Sequence, residues 1–466
     1  MEKKKPVVFE EIRRNVAGID IAWRSEHYVC GPRGEDGENE IVSFGTTTPE
    51  LHRMLTWLKE RQVESVAMES TSVYWIPAAD LLESNGVEVV LVDTREVRMV
   101  PGRKSDVKDC QWLQKLHSCG LLRGAFRPPE SVAAMRSILR EKENVQAMRT
   151  QAIQQMQKSL DQMNIRVHHA VADIDGKTGT QIIKAIVDGE RDPIRLASLR
   201  DRRCKKSERE IAEHLTGTWR DEHLFNLGQA FKTLQFLDER LAEYDAKVSQ
   251  MLATLAEAAE DVDKREPPPP YDEKKFTSRE RPHLLDRYNT YRFMGFDMTS
   301  ITGIGCTTAA IIASELGGKF DRFPSEKHFV SYIGLAPSLG KSAGKNVPQK
   351  KRCKNTSRAG RALRNAAASL HHSQSELGAY LRTVARHSDK GTAIKATARR
   401  MAHMIYRGVM YGKQYVDQGI EGYESRLRNR TIKTVNKLIR TFAIDCSELA
   451  GVLAVESLVS ETLAAT

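Results

Sequence analysis

The apolar run Val16-Ala17-Gly18-Ile19-Asp20-Ile21-Ala22 constrains this chain more than any other stretch. Its length suits a buried strand, yet an acid, Asp20, stands inside it. An unpaired carboxylate in such surroundings is costly, so it calls for a cation. Strand-like runs follow at 26–30 and 40–44. A helical segment then covers 49–61, with Leu51, Leu55 and Leu58 at helix spacing. The pattern predicts three strands and a crossover helix.

A fourth strand-like run, 63–68, ends at Glu69. Ser70-Thr71-Ser72 is suited to capping a helix that begins near Tyr74. A fifth strand, 87–92, leads through a basic loop with Arg98, Arg103 and Lys104 into a helix starting near Ser105. Asp106 and Asp109 are three residues apart on that helix and so share a face. Central strands thus supply Asp20 and Glu69 while a helix supplies the other pair, the order an RNase H-like α/β fold needs. Two magnesium ions about 4 Å apart stabilise the attacking and leaving oxygens of an in-line displacement at phosphorus. Magnesium prefers hard carboxylate oxygens. The expected ligands of two Mg2+ ions are therefore Asp20, Glu69, Asp106 and Asp109. Among 61 acidic residues some fall anywhere, and acids three apart on a helix ordinarily line a solvated face. It is their joint placement that carries the expectation.

Lysine and arginine number 72 against 61 acids, a formal charge of +11, which favours a polyanionic partner. No apolar run approaches the roughly 18 residues of a spanning helix, and the charged start lacks the apolar part of a secretory signal. A cytoplasmic protein with no membrane partner is expected. The seven cysteines form no Cys-x-x-Cys pair, so neither zinc nor a disulfide framework is expected. The pairs His168-His169 and His371-His372 lack a matching ligand set.

Residues 131–166 are strongly helical in composition, and a polar section, 168–218, follows with a basic knot at 200–206. Leu227, Ala230, Leu234, Leu237, Leu241, Tyr244, Val248, Met251 and Leu255 then alternate spacings of three and four, which is a coiled-coil seam. Either the 131–166 helix or another copy of the chain can fill it, and the seam is the basis for expecting self-association. The four prolines 267–270 stop any helix and stiffen a linker. The expected division is 1–130 (RNase H-like), 131–264 (coiled-coil, with an insertion near 165–225), 265–290 (linker), 291–422 (a mainly helical C-terminal domain) and 423–466 (tail).

Gly303-Ile304-Gly305 precedes a helix at 307–316 in a helix-hairpin-helix-like pattern. Such glycines let backbone amides approach a phosphate, although a lone Gly-Ile-Gly is more often a plain turn. The most basic stretch, 341–364, holds Lys341, Lys345, Lys350, Lys351, Arg352, Lys354, Arg358, Arg361 and Arg364 and no acid. With Arg103 and Lys104 these are the expected nucleic-acid contacts. Apolar residues Ala359, Ala362, Leu363, Ala366, Ala367 and Leu370 continue into a helix, so the surface is folded. Ser342 lies between Lys341 and Lys345, where cations can stabilise charge that develops during attack on phosphorus. Spacing alone does not make it a nucleophile.

Taken together, the chain resembles the DEDD transposases of insertion sequences, relatives of the Piv invertase, in their longer subgroup. The matching stretches are Gly18-Ile19-Asp20, Met68-Glu69-Ser70-Thr71, Lys104-Ser105-Asp106-Val107-Lys108-Asp109, Ile301-Thr302-Gly303-Ile304-Gly305 and Tyr332-Ile333-Gly334-Leu335-Ala336-Pro337, which runs into Lys341-Ser342-Ala343-Gly344-Lys345. Similarity continues through Ala362-Leu363-Arg364 and Ser373-Gln374-Ser375 to Tyr411-Gly412. The resemblance implies a RuvC-like N-terminal domain, a coiled-coil middle and a C-terminal transposase domain. It implies catalytic roles for Asp20, Glu69, Asp106, Asp109 and Ser342, the serine forming a phosphoserine link to DNA. It also implies donor and target DNA, a structured bridge RNA as guide, and a dimer of dimers acting in a bacterial or archaeal cytoplasm. Ala343 stands where many relatives have glycine. A RuvC-type hydrolytic nuclease and a non-enzymatic basic coiled-coil binder are the competing readings. The first would need only the N-terminal acids, and the second would show no magnesium-dependent strand chemistry.

Overall fold

The computed structural model describes residues 10–22, 25–34, 37–70, 72–92, 106–122, 124–259, 284–337, 339–342, 345–348, 357–412 and 419–442. The chain divides into two compact units, Met1–Arg127 and Pro128–Thr466.

The first unit is built on one mixed sheet of five strands: β1 (Val16–Asp20), β2 (His27–Arg33), β3 (Asn39–Phe44), β4 (Ser65–Glu69) and β5 (Glu88–Val92). Their spatial order is β3-β2-β1-β4-β5, with β1, β2 and β3 antiparallel in turn and β1, β4 and β5 parallel. This is compatible with the RNase H-like expectation. Side chains alternate across each strand. Ala17, Ile19, Val66 and Met68 point to one face, where they pack with Leu51, Met54, Leu55 and Leu58 of helix α1 (Thr48–Glu60) and Ala78, Ala79 and Leu82 of α2 (Ile76–Ser84). The other face carries α3 (Asp106–Ser118).

Helix α3 can close on the sheet because β1 has Gly18 where it passes. A Cβ there would stand 2.4 Å from both the Cys110 carbonyl oxygen and the Gln114 nitrogen. At its far end, the buried His117 Nε2 lies 2.9 Å from the Ser65 hydroxyl at the start of β4. The helix therefore runs against the direction of β1 and β4, with its first turn toward their carboxyl ends.

One expectation fails here. Ser70 and Ser72 do not cap α2, Thr71 lying outside the described residues: the N-cap position is Trp75, with Pro77 in the first turn, and Ser70 instead donates its hydroxyl to the Val92 carbonyl at 3.1 Å.

The second unit opens with α4 (Glu130–Gln162), which packs against α9 (Asp221–Glu257). They run antiparallel, since Lys142 pairs with Asp245 while the later Arg149 pairs with the earlier Asp238 at 2.5 Å. The α9 seam is filled within the chain: Leu227, Ala230, Leu234, Leu237 and Leu241 pack with Val145, Ala152, Met156 and Leu160. The seam packed within the chain leaves the expected self-association without this basis. Between the long helices come α5 (Val167–Ala170), α6 (Lys177–Val187), α7 (Pro193–Ser198) and α8 (Glu208–His214), whose Ile182, Ile183, Ile186, Leu196 and Ile211 join the same core.

After residues 260–283, which lie outside the described residues together with most of the expected linker, come α10 (Leu284–Met294), α11 (Cys306–Leu316) and α12 (Glu326–Tyr332). A hairpin of β6 (Leu339–Ser342) and β7 (Lys345–Pro348) follows, then α13 (Arg358–Ala368), α14 (Glu376–His387) and α15 (Lys390–Tyr411) around a second core. The stretch expected as a tail begins as helix α16 (Gly419–Phe442), which packs on α14 through Tyr423 against Tyr380 and Arg426 against Glu376 at 2.5 Å. Among the described residues no helix is long and apolar enough to cross a membrane.

Candidate catalytic site and nucleic-acid interface

Asp20 and Glu69 are the last residues of two neighbouring parallel strands. The register pairs Ile19 with Met68, so the next step brings Asp20 beside Glu69, with their backbones about 4.8 Å apart. Both carboxylates leave the sheet on the α3 face, because Ile19 and Met68 occupy the opposite core. Each is partly exposed. Asp109 lies in the first turns of α3, immediately before the buried Cys110, and Asp106 opens the helix; the side chain of Asp106 is outside the described residues. Burial, with Cys30 and then Asp20 adding to it, pushes the Cys110 thiol up to about 12, which marks Asp20 as its neighbour. Strand ends and one helix end thus bring three acids to one end of the sheet, and a fourth by backbone position.

The donors are hard carboxylate oxygens, the chemistry divalent magnesium accepts. Among the described residues no three acid, histidine or cysteine side chains stand close enough to hold an ion. Among the described residues Cys30, Cys110, Cys119, Cys204 and Cys306 form no disulfide. Burial also pushes Cys30 up to about 12, so it is not a reactive thiol.

In the second unit Ser342 ends β6 at the tip of the hairpin, across from Lys345 in register, and Lys341 faces Asn346. The side chains of these residues, and all of Lys350, Lys351, Arg352 and Lys354, lie outside the described residues, as do Arg103 and Lys104. Arg358 pairs with Glu143 at 2.6 Å, whereas Arg361 and Arg364 are exposed on α13. The α13 N-cap, Ser357, accepts from the Gly360 N–H at 3.1 Å and donates to the Ile333 carbonyl at 3.2 Å, which fixes this helix beside the end of α12. Gly303 has φ +94°, and a Cβ there would meet the Ala366 carbonyl oxygen at 3.0 Å. The turn and that close approach account for glycine without a phosphate. Gly305 is the N-cap of α11.

Comparison with known families decides the assignment. Residues 17–165 match the DEDD transposase model of IS110 elements, and residues 297–382 match the transposase IS116/IS110/IS902 family. The chain belongs to the IS110-family DEDD transposases. The first match holds Asp20, Glu69, Asp106 and Asp109, and the second holds Ser342 and the α13 arginines. No curated protein matches the chain.

A transposase acts on DNA, so the charge excess has its partner. Sequence reasoning missed two features of this transposase near the acids. Gly18 was noted as part of a motif but not as the contact that admits α3; a glycine at the centre of a β-branched run is the available signal. The 72–76 turn, where Val73 is 60 % and Tyr74 40 % exposed, lies where the sequence predicts a helix from near Tyr74, whereas α2 begins at Ile76. The run Val73-Tyr74-Trp75-Ile76, starting four residues after a strand-end acid, was the signal there.

Proposed function

We propose that this transposase cleaves and exchanges DNA strands under the guidance of a structured RNA, using the acid tetrad together with Ser342 as nucleophile. The observation that carries the reading is the β1–β4 register, which sets Asp20 beside Glu69 at the end of the sheet that the first turn of α3 approaches. Asp20, Glu69, Asp106 and Asp109 would hold the divalent ions. When bound, these supply Lewis-acid stabilisation of the attacking and leaving oxygens at phosphorus.

Ser342 gives up its hydroxyl proton as its Oγ bonds to phosphorus, and the bond to the bridging sugar oxygen breaks. That oxygen takes up a proton and leaves as a free hydroxyl. In the reverse direction a hydroxyl from another strand attacks the phosphoserine and returns the serine. One phosphodiester is traded for another, so exchange needs no outside energy source. Lys341 and Lys345, flanking the serine in sequence, can offset the charge that develops on phosphorus. A serine and an acid set in different units need a composite site, within one chain or across the copies of a dimer of dimers.

The acid-free cationic stretch 341–364 suits the phosphate backbones of DNA and RNA alike and carries no sequence information of its own, which this reading assigns to the RNA. Sequencing the RNA that copurifies with the full chain tests this: a discrete species encoded beside the gene is expected, and bulk cellular RNA would remove the guide. For the chemistry, Ser342→Ala is expected to abolish the covalent protein–DNA adduct on a suicide substrate while retaining RNA binding. Cleavage that survives without an adduct would favour a hydrolytic, RuvC-type reaction by the acids alone.

A further inference from the structure

A few residues after Glu69 the transposase exposes a short apolar ridge. Val73 is 60 %, Tyr74 40 % and Ile76 37 % exposed, and these residues share one turn with Trp75. Exposed apolar residues scattered singly need no explanation, but a contiguous set on one turn does.

The turn is built to hold them still. Ser72 has φ +52°, a left-handed conformation that L side chains adopt at a cost. Trp75 is pinned below: its Nε1–H donates to the Ser72 carbonyl at 3.1 Å, and the Arg127 guanidinium lies 5.0 Å from its ring centroid. Arg127 is itself fixed by Asp80 at 2.7 Å and Glu83 at 2.6 Å. The Ile76 N–H bonds the Val73 carbonyl at 3.1 Å, and the Ala79 N–H bonds the Trp75 carbonyl at 2.9 Å, which locks the turn onto α2. On the other side, the Ser70 N–H and hydroxyl both reach the Val92 carbonyl at 3.1 Å, tying the end of β4 to β5.

We propose that the 72–76 turn is a wedge that packs against, or between, the bases of the DNA at the step where the acids act, with Tyr74 as the stacking ring. The inference rests on the acid-site reading above and adds to it a group that grips the bases. Position favours DNA: the ridge begins within a few residues of Glu69, at the acid end of the sheet, and a transposase must bring its DNA there. Chemistry favours it too, since residues 72–76 contain no acid that would repel a phosphate backbone. Size argues against a protein partner, because a stable interface takes about 800 Å² and some 20–30 residues on each side. A few apolar side chains are enough to unstack a base step, and an aromatic ring stacks on any base.

The test uses the full transposase with its copurifying RNA, carrying Asp20→Asn so that base unstacking is read apart from cleavage. The probes are duplexes spanning one end of its insertion sequence, each with one 2-aminopurine at a different position. The part of the fluorescence rise that depends on residue 74 is expected at positions flanking a single step, persisting in Tyr74→Phe and lost in Tyr74→Ala, with thermal melting little changed. An equal rise in Tyr74→Ala and its parent overturns the wedge, as does a parent that binds the duplex without any rise. A photo-crosslinker at position 73 that captures a second protein chain rather than DNA overturns it in favour of a protein contact. Undiminished cleavage by Asp20→Asn would instead sink the acid-site reading, and that result is separate from every fluorescence outcome.

Discussion

A single missing Cβ sets the spacing of the acid site. Gly18 lets the backbone of α3 touch β1, and both atoms a methyl would strike, the Cys110 carbonyl oxygen and the Gln114 nitrogen, are main-chain atoms that no rotamer change can move. Gly18→Ala should therefore push α3 off the sheet and cost about 3 kcal/mol, the upper part of the range for overpacked cores. Urea denaturation should show that loss together with lost DNA cleavage; a stable, active Gly18→Ala chain would mean that α3 does not set the site. Asp20→Asn removes charge without changing shape. It should leave the denaturation curve close to that of the parent while slowing metal-dependent cleavage by a hundredfold or more, on the order of the several kcal/mol that metal stabilisation supplies. Asp20 and Glu69 were legible in the sequence because an acid at the end of an apolar strand is conspicuous against its neighbours. The role of Gly18 was not, because its partner lies more than 90 residues further along the chain and nothing local encodes that approach.

Elements differ in how much of themselves they reveal. The α9 seam was readable because its period persists through four heptads, and the structure supplies α4 as its partner. Helices α5 to α8 were not readable, since segments of 4 to 11 residues give a periodic pattern too little length to stand out. Truncating a seam residue such as Leu234→Ala should cost about 3 kcal/mol in a denaturation experiment, whereas Phe236→Ala, on the exposed face of the same helix, should stay within about 0.5 kcal/mol. The far end of α3 adds a pH dependence. Burial, with Arg13 contributing, holds His117 down at about 4, below the 6.5 of an unfolded histidine. Between those values the unfolded chain binds the extra proton and the folded chain does not. Stability from this group is therefore complete above about 6.5 and is lost progressively as pH falls toward 4, by about 3 kcal/mol in all. His117→Gln, which can still reach the Ser65 hydroxyl, should flatten that limb of the stability–pH curve. An unchanged slope would show that His117 is not what titrates.

Across the whole molecule the +11 charge is unevenly spent. From α4 to α6 several cations are matched by acids: Arg149 holds Asp175 at 2.9 Å as well as Asp238, and Lys184 on α6 pairs with Asp188 at 2.8 Å. The cationic stretch through α13 contains no acid, and α16 carries Arg426, Arg428, Arg430, Lys433, Lys437 and Arg440 with none between 425 and 442. Of these six, Arg426 is committed to Glu376. Phosphate binding releases condensed counterions, so each cation that meets a phosphate adds about one to the slope of log affinity against log salt. A cation already paired with an acid neutralises little phosphate charge and so displaces few of those counterions. Arg361→Ala combined with Arg364→Ala should therefore make the slope shallower by about two for the transposase bound to nucleic acid, weakening all sequences alike, because these residues would touch backbone rather than base edges. Lys184→Ala, which removes a cation already answered by its own acid, should leave the slope unchanged. Fluorescence anisotropy across a salt series reads both. If the two changes prove equal, net charge rather than the acid-free surface governs how this transposase holds its nucleic acids, and the placement of those arginines on α13 would carry no functional weight.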